Sequence, residues 1–243
     1  NGGVVSATIT SWRGSVTMDL KEPLASANIP MGLGETKLVI PDTLNSIAGR
    51  IVQINDLTGV GWLERNYSAF GFSSDADFQP YDIDFDKQGR IYIANNSGND
   101  GPAKVMRIES LADTTYDTIV SSIDLGGAGV STITIDRANN YIYYCTGQSP
   151  IYRKSLGPPI GAQESFDIQS DGAIGNFNTR GIAVDNVGVL YVVNDSAFEI
   201  YKYDITFSGS NRIRATYSGD LNNPWDVLVK NDEVIVSNKD SST

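Results

Sequence analysis

The chain has 243 residues, of which 40% are hydrophobic and 24 are glycine, a composition typical of a globular protein with many turns. Its net charge of −11 and its 18 basic residues argue against nucleic acid and anionic membranes as partners, because phosphate binding requires clustered Lys and Arg. The absence of histidine excludes Ser-His and Cys-His catalysis and His-ligated zinc sites.

Four similar segments follow one another along the chain, and a fainter copy precedes them. Each reads as a short apolar strand, a polar turn, a second apolar strand and a final polar residue, without sustained helical periodicity. They recur about every 45–50 residues, the period of a four-stranded propeller blade. In chain order they are IPMGLGETKLVIPD (29–42), PYDIDFDKQGRIYIAN (80–95), VSTITIDRANNYIYYCT (130–146), TRGIAVDNVGVLYVVN (179–194) and PWDVLVKNDEVIVSN (224–238).

The segments between these copies supply two further strands for each of the first four blades, and few helices are expected. The predicted outer pairs are 49–56 with 61–68, 104–110 with 116–125, 149–156 with 164–169, and 198–205 with 212–220.

The predicted fold class is an all-β propeller of four-stranded antiparallel blades, forming a single domain over residues 1–243. Five blades can be counted, at about 25–70, 79–125, 129–169, 178–220 and 222–243. The fifth copy stops after its second strand, near Asn238. Either residues 1–22 close this blade, with VVSATITSW (4–12) and GSVTMDL (14–20) as outer strands, or further sequence or a partner chain completes the fold, for example to six blades.

Two kinds of known repeat are similar to these segments. KLVIPDTLNSIAGRIVQINDLTG and QPYDIDFDKQGRIYIANN resemble NHL repeats, and NNYIYYCTGQSPIYRKSL resembles the related YWTD type of blade. The resemblance implies a propeller architecture over nearly the whole chain after about residue 25. It leaves the activity open.

The strand order predicts a binding surface, because the inner strand of each blade starts on the face where the next strand ends. Residues at the starts of inner strands offer aromatic faces and a cationic donor to a ligand. Residues at the ends of second strands are either turn-stabilising groups or oxygen ligands for a sugar, peptide or cation. The predicted ligand-binding residues are Asn28, Tyr81, Ser131, Arg180 and Trp225 in the first set, and Asn95, Asn194 and Asn238 in the second.

The aspartates separate into two roles when the copies are aligned. Asp86 recurs as Asp136 and Asp185 at the same turn, which indicates turn formation. Asp82 recurs as Asp226, and these two are the predicted metal ligands if calcium is bound. The single cysteine lies in an apolar run, YIYYCTG, where a buried inert thiol is expected.

The leading functional prediction is a noncatalytic extracytoplasmic propeller that binds a protein, peptide or glycan through one face. The alternatives are a calcium-dependent hydrolase or lactonase-like propeller enzyme and a structural subunit of a surface assembly. No segment approaches the roughly 20 apolar residues that span a bilayer, and a chain that begins with Asn1 rather than Met is compatible with a secreted or cell-envelope protein. The ligand and the oligomeric state stay open.

Overall fold

The structure is a computed structural model that describes residues 27–31, 35–44, 48–54, 63–97, 103–173, 177–206, 212–230 and 233–238. Within these ranges the protein is nearly all β, with 18 strands and three short 3-10 helices. The contacts divide the chain into two compact units, Asn1–Gly129 and Val130–Thr243. None of the helices in the described ranges has the length and hydropathy needed to cross a membrane. The predicted closing strands, 4–12 and 14–20, lie outside the described residues.

The first unit contains two four-stranded antiparallel sheets, each with its strands in chain order. Sheet 1 consists of β1 (Ala27–Met31), β2 (Glu35–Leu44), β3 (Ala48–Ile54) and β4 (Leu63–Asn66). Sheet 2 consists of β5 (Pro80–Phe85), β6 (Ile91–Asn95), β7 (Val105–Ile108) and β8 (Asp117–Val120).

The second unit repeats this arrangement twice and ends with a two-stranded sheet. Sheet 3 consists of β9 (Thr132–Asp136), β10 (Tyr141–Cys145), β11 (Ile151–Ser155) and β12 (Glu164–Phe166). Sheet 4 consists of β13 (Thr179–Val184), β14 (Leu190–Asn194), β15 (Glu199–Tyr203) and β16 (Ile213–Tyr217). Sheet 5 pairs β17 (Pro224–Lys230) with β18 (Glu233–Asn238).

Successive four-stranded antiparallel sheets with this strand order are the blades of a β-propeller, which confirms the predicted fold class. In the second unit the inner strand β13 contacts both β9 and β17, so the inner strands of sheets 3, 4 and 5 lie side by side. The number of blades and the single-domain organisation stay predictions.

Apolar side chains from the faces of the sheets form the core of each unit. In the first unit Phe70, Phe72 and Phe78 pack with the apolar residues of β5, β6 and β7. In the second unit one cluster joins sheets 3 and 4, and a smaller one joins Val193 of sheet 4 to Val227 of sheet 5. Burial of these faces stabilises the fold by about 25 cal/mol for each Å² of apolar surface.

The three aligned aspartates hold the turns between the inner strand and the second strand, as predicted. In Asp86, Asp136 and Asp185, Oδ1 accepts two backbone N–H bonds of 2.9–3.0 Å from residues two to four positions later. A carboxylate in this position accepts hydrogen bonds from backbone N–H groups that have no backbone acceptor in the tight turn. The turn-forming role of Asp86 is therefore confirmed.

Several of the predicted outer strands extend beyond the observed C-terminal ends, and in two of them the excess includes a 3-10 turn. The strand predicted over 116–125 ends at Val120, and Ile123–Leu125 forms a 3-10 turn in which Asp124 accepts the backbone N–H of Ser121 at 2.8 Å. The strand predicted over 61–68 ends at Asn66, whose side chain caps a second 3-10 turn. In both cases a short polar side chain binds the local backbone in place of a strand partner.

Candidate functional site

Three inner strands carry a β-bulge where a predicted site residue lies. The register shifts fall at Tyr81 in β5, at Arg180 in β13 and at Trp225 in β17. A bulge interrupts the cross-strand pairing and re-aims the side chains around it, which is why bulges are common beside binding and active sites. Ser131 directly precedes β9, and its backbone N–H and hydroxyl both donate to the carbonyl of Cys145, at 2.9 and 3.2 Å.

Arg180 and Trp225 lie in contact in the second unit. The guanidinium carbon of Arg180 lies 4.8 Å from the centroid of a Trp225 ring, within the range of a cation–π contact. The Nε atom of Arg180 also donates to Oδ2 of Asp195 at 2.8 Å. Two different contacts therefore fix the orientation of this guanidinium.

Asp226 lies next to Trp225 on β17 and is exposed to solvent. Its Oδ1 atom accepts the backbone N–H of Val227 at 2.8 Å, and its own N–H donates to the hydroxyl of Ser237 at 3.1 Å. Although water reaches this residue, desolvation by the surrounding protein raises the pKa of its carboxyl above the ordinary value. The carboxylate is thus held by its own strand and remains open on one side.

Gly181 allows β13 and β17 to approach closely at this point. A Cβ atom built on Gly181 would lie 2.4 Å from Oδ1 of Asp226, 2.7 Å from its Cα and 3.0 Å from the backbone nitrogen of Val227. Only a residue without a side chain fits such an approach of two backbones. Arg180 against Trp225 and Gly181 against Asp226 are therefore consecutive contacts along the same two strands.

We define the Arg180–Asp226 cluster as Arg180, Asp195, Trp225 and Asp226. It combines a fixed cation, an aromatic face and a solvent-exposed carboxylate at the start of two neighbouring inner strands. Such a set can bind an anionic or polar organic group and can exchange a proton with it.

Asp82 in the first unit has the same local geometry as Asp226. It follows the bulge of β5, and its Oδ1 atom accepts the N–H of the next residue, Ile83, at 2.8 Å. The alignment of Asp82 with Asp226 is therefore matched by the structure of each strand. Within the described residues no group of three or more acidic or cysteine side chains is arranged to hold a metal ion.

The asparagines at the ends of the second strands differ in their surroundings. Asn95 is fully buried; its side-chain amide donates to the carbonyls of Asp77 (2.8 Å) and Ala103 (3.0 Å), and its Oδ1 atom accepts the N–H of Gln79 at 2.8 Å. These contacts fit the turn-stabilising alternative and leave no side-chain surface for a ligand.

The other two asparagines of this set lie in the second unit. Asn194 is also fully buried, and its Oδ1 atom accepts the N–H of Asn178 at 3.1 Å, so it fits the same structural role. Asn238 is exposed at the end of β18, opposite Pro224, and is available to a ligand.

The remaining predicted site residues lie in the first unit. Tyr81 is half-buried within the bulge of β5. Asn28 lies on β1 opposite Leu38; its side chain is outside the described part of the structure. Arg180, Trp225 and Asp226 therefore lie together in the second unit, whereas the remaining predicted residues, Tyr81 and Asn28, belong to the first unit.

Asp195 and Gly181 were not among the predicted site residues. Asp195 directly follows Asn194, which was among them. The sequence does contain a signal for Asp195. It is an acidic residue just beyond the end of β14, and β14 pairs with β13, which carries Arg180. Gly181 could be recognised only from the approach of a neighbouring strand, which a single sequence does not show.

The single cysteine behaves as predicted. Cys145 is fully buried in β10, and burial raises the pKa of its thiol to about 12. Because the thiolate is the reactive form, a thiol with this pKa is a poor nucleophile at neutral pH. Cys145 therefore contributes packing and no nucleophilic chemistry.

The structure is similar to two solved enzyme structures. It matches a luciferin-regenerating enzyme with a TM-score of 0.58 and 14% identity, covering 88% of this chain and 69% of that chain. It matches virginiamycin B lyase from Staphylococcus aureus with a TM-score of 0.55 and 15% identity, covering 91% of this chain and 70% of that chain. No family model and no curated protein matches the chain, so the NHL and YWTD resemblance stays a prediction. At these identities the likeness shows the fold alone, and that fold is a β-propeller.

Proposed function

We propose that the protein is a propeller enzyme that hydrolyses a small ester or lactone at the Arg180–Asp226 cluster. The observation that carries this proposal is a solvent-exposed carboxylate, Asp226, at the bulged start of β17, next to the contact between Trp225 and the oriented guanidinium of Arg180. The likeness to two enzymes of different chemistry supports a catalytic use of this fold, and the noncatalytic prediction gains no such support.

Asp226 is the general base of the proposed reaction. Its ionised carboxylate takes a proton from a water molecule as the water oxygen attacks the carbonyl carbon of the substrate. The bond from that carbon to the ring or ester oxygen then breaks, and the leaving oxygen takes the proton from Asp226. The products are an alcohol and a carboxylic acid, which releases its proton to water at neutral pH.

The raised pKa of Asp226 suits this role, because a carboxylate with a higher pKa is a stronger base. Arg180 supplies N–H donors for the negative charge that develops on the carbonyl oxygen. Asp195 and Trp225 keep the guanidinium in one orientation, so little reorganisation is needed when the charge forms.

Calcium is the cofactor that the sequence prediction attached to this type of enzyme. A calcium site usually needs six to eight oxygen ligands, several of them carboxylates, and the described residues contain no cluster of three or more acidic side chains suited to a metal. The mechanism above therefore uses no metal ion. Metal analysis of the purified protein, with hydrolysis measured in added CaCl2 and after EDTA, tests calcium directly.

The second candidate function is the noncatalytic binding of a protein, peptide or glycan by a secreted or cell-envelope protein. It is favoured by the stacking of Arg180 on Trp225, because Trp and Arg are common at the energetic centres of interfaces. On this hypothesis R180A together with W225A abolishes binding to glycan or peptide arrays, while D226N leaves it unchanged. A structural subunit of a surface assembly would instead show concentration-dependent association in sedimentation experiments.

The experiment for the catalytic proposal is a hydrolysis screen with γ-butyrolactone, δ-valerolactone, glucono-δ-lactone, phenyl acetate and the carboxylate-bearing ester monomethyl succinate, followed in a pH-stat. The substitution D226N should lower the rate by about 10²–10⁴-fold, the usual contribution of a general base. E109Q, which neutralises an exposed carboxylate just beyond β7, is the control and should retain the full rate. Equal rates for D226N and the unchanged protein, or no hydrolysis of any of these substrates with or without CaCl2, would reject the proposal.

A further inference from the structure

We propose that Arg180 is the anchor for a carboxylate group of the ligand, so that the esters or lactones hydrolysed at this site also carry a carboxylate. The inference rests on the proposed function, because it names the substrate class of the same cluster. It concerns binding, however, and can be measured separately from hydrolysis.

The contacts of Arg180 leave one edge of its guanidinium available. A guanidinium has five N–H donors, one on Nε and four on the terminal nitrogens. Asp195 takes the Nε donor at 2.8 Å. Among the described residues neither terminal nitrogen has a hydrogen-bond partner, and 35% of the side chain is exposed. The outer edge presents one N–H from each terminal nitrogen and matches the two oxygens of a carboxylate. The other two terminal N–H groups are then left for the carbonyl oxygen of the proposed reaction.

The two contacts of Arg180 also prepare this edge for binding. The Trp225 ring covers one face of the guanidinium, with the guanidinium carbon 4.8 Å from the ring centroid. Asp195, whose side chain is 10% exposed, holds the opposite end of the group. Because both contacts exist without a ligand, the Arg180 side chain is already ordered, and its loss of conformational entropy on binding is smaller.

Arg153 in the same unit provides a contrast. It also pairs with an acidic residue and lies over an aromatic ring, with its guanidinium carbon 4.5 Å from the Tyr141 centroid. Its terminal nitrogen Nη2, however, donates to Glu164 at 2.6 Å, and its side chain is only 17% exposed. The outer edge of the Arg153 guanidinium is therefore bonded within the protein, whereas that of Arg180 is not.

The charge of the chain makes this site selective. A protein with a net charge of −11 repels anions in general, so nonspecific attraction does not account for carboxylate binding. Asp195 and Asp226 add local negative charge, and a carboxylate gains affinity only when it reaches the outer edge of Arg180 in bidentate geometry.

The test uses fluorine NMR of the whole protein with three fluorinated carboxylates and their uncharged amides as probes. The pairs are 4-fluorobenzoate and 4-fluorobenzamide, 4-fluorophenylacetate and its amide, and 4,4,4-trifluorobutanoate and its amide. We expect at least one carboxylate to bind at millimolar concentration about tenfold more tightly than its amide, as a bidentate charged contact gives. Absence of binding by all three carboxylates, or equal binding of the amides, would overturn the proposal.

Variants assign the binding to Arg180. R180Q should remove the preference for carboxylate, and R180K, which keeps the charge and loses the planar fork, should weaken it less. R153Q changes the net charge by the same amount and should retain the preference. Melting temperatures show whether R180Q folds. If it does not, the carboxylate preference is measured in R180K and D195N instead. A carboxylate preference that survives in folded R180Q contradicts the inference.

D226N separates this inference from the proposed function. It should abolish hydrolysis and keep or strengthen carboxylate binding, since it removes a nearby negative charge. Hydrolysis that depends on Asp226, with no carboxylate preference, leaves the catalytic proposal standing without this substrate class. Carboxylate binding through Arg180 without hydrolysis of any substrate rejects the catalytic proposal and leaves a binding site.

Discussion

The hydroxyl of Tyr203 donates a hydrogen bond to the carboxylate of Asp171, although 32 residues separate them in the chain. Both residues are buried, and Asp171 also accepts from the Arg212 guanidinium at 3.1 Å. Burial and the negative charge of Asp171 raise the pKa of Tyr203, so the phenol stays protonated and remains a donor. The contact ties the third strand of sheet 4 to the segment that precedes this sheet.

Removing the Tyr203 hydroxyl should therefore destabilise the second unit. We expect Y203F to lower the free energy of unfolding by about 1.5–3 kcal/mol, the usual effect for a hydrogen bond to a charged group. Y217F is the matched control, because Tyr217 is 56% exposed and its hydroxyl makes no hydrogen bond within the described residues. Urea unfolding measures both variants. Equal stability of Y203F and Y217F would show that Asp171 is satisfied by Arg212 alone.

The stability difference between D226N and the unchanged protein should depend on pH. Its pKa is raised in the folded protein, so the folded state binds this proton more tightly than the unfolded state, in which the pKa is about 4. The stabilising contribution is therefore complete below the unfolded pKa and is lost as the pH rises through the folded pKa. D226N cannot ionise and should match the unchanged protein at low pH and melt at a higher temperature above the folded pKa.

Melting curves of the unchanged protein and D226N, recorded between acidic and neutral pH, measure this difference. E109Q serves as the control for loss of a surface carboxylate, because Glu109 is exposed. A constant difference between D226N and the unchanged protein over the whole pH range would contradict a raised pKa at Asp226.

Substitution of Asn95 should lower the stability of the protein without affecting ligand binding. N95A leaves the backbone carbonyls of Asp77 and Ala103 without their side-chain donor, and loss of buried hydrogen bonds of this kind costs about 2–3 kcal/mol. N222A, at an exposed position, should leave the stability unchanged. Thermal unfolding measures both, and a loss of ligand binding by folded N95A without loss of stability would restore the ligand-binding prediction for this residue.

Much of the fold follows from local patterns in the sequence. Alternating or continuous apolar runs of about five residues predict the strands, and the aspartate at the start of each turn predicts where β5 or β13 ends. The ends of β4 and β8 were predicted too far along the chain, because Asn66 and Asp124 bind the local backbone and form 3-10 turns. Those turns depend on side-chain geometry that apolar patterns do not contain.

The site was predicted only in part. Arg180 and Trp225 were selected because they occupy equivalent positions of two repeats, and the structure brings them into contact. Ser131 occupies the same position in a third repeat, directly before β9, but its backbone N–H and its hydroxyl both donate to the carbonyl of Cys145 within its own sheet. Repeat alignment therefore predicts the position of a residue, while its local hydrogen bonds decide whether its side chain is available to a ligand.

The close approach at Gly181 limits how this site can change by mutation. Any side chain at position 181 collides with the backbone of the neighbouring strand as well as with the Asp226 carboxylate, so shortening Asp226 would not make room for it. Altered ligand preference is therefore expected from positions 180, 195 and 225, which supply and orient the cation and the aromatic face, while Asp226 is kept as the proposed general base. Libraries for directed evolution of a new specificity should randomise these three positions and keep glycine at 181.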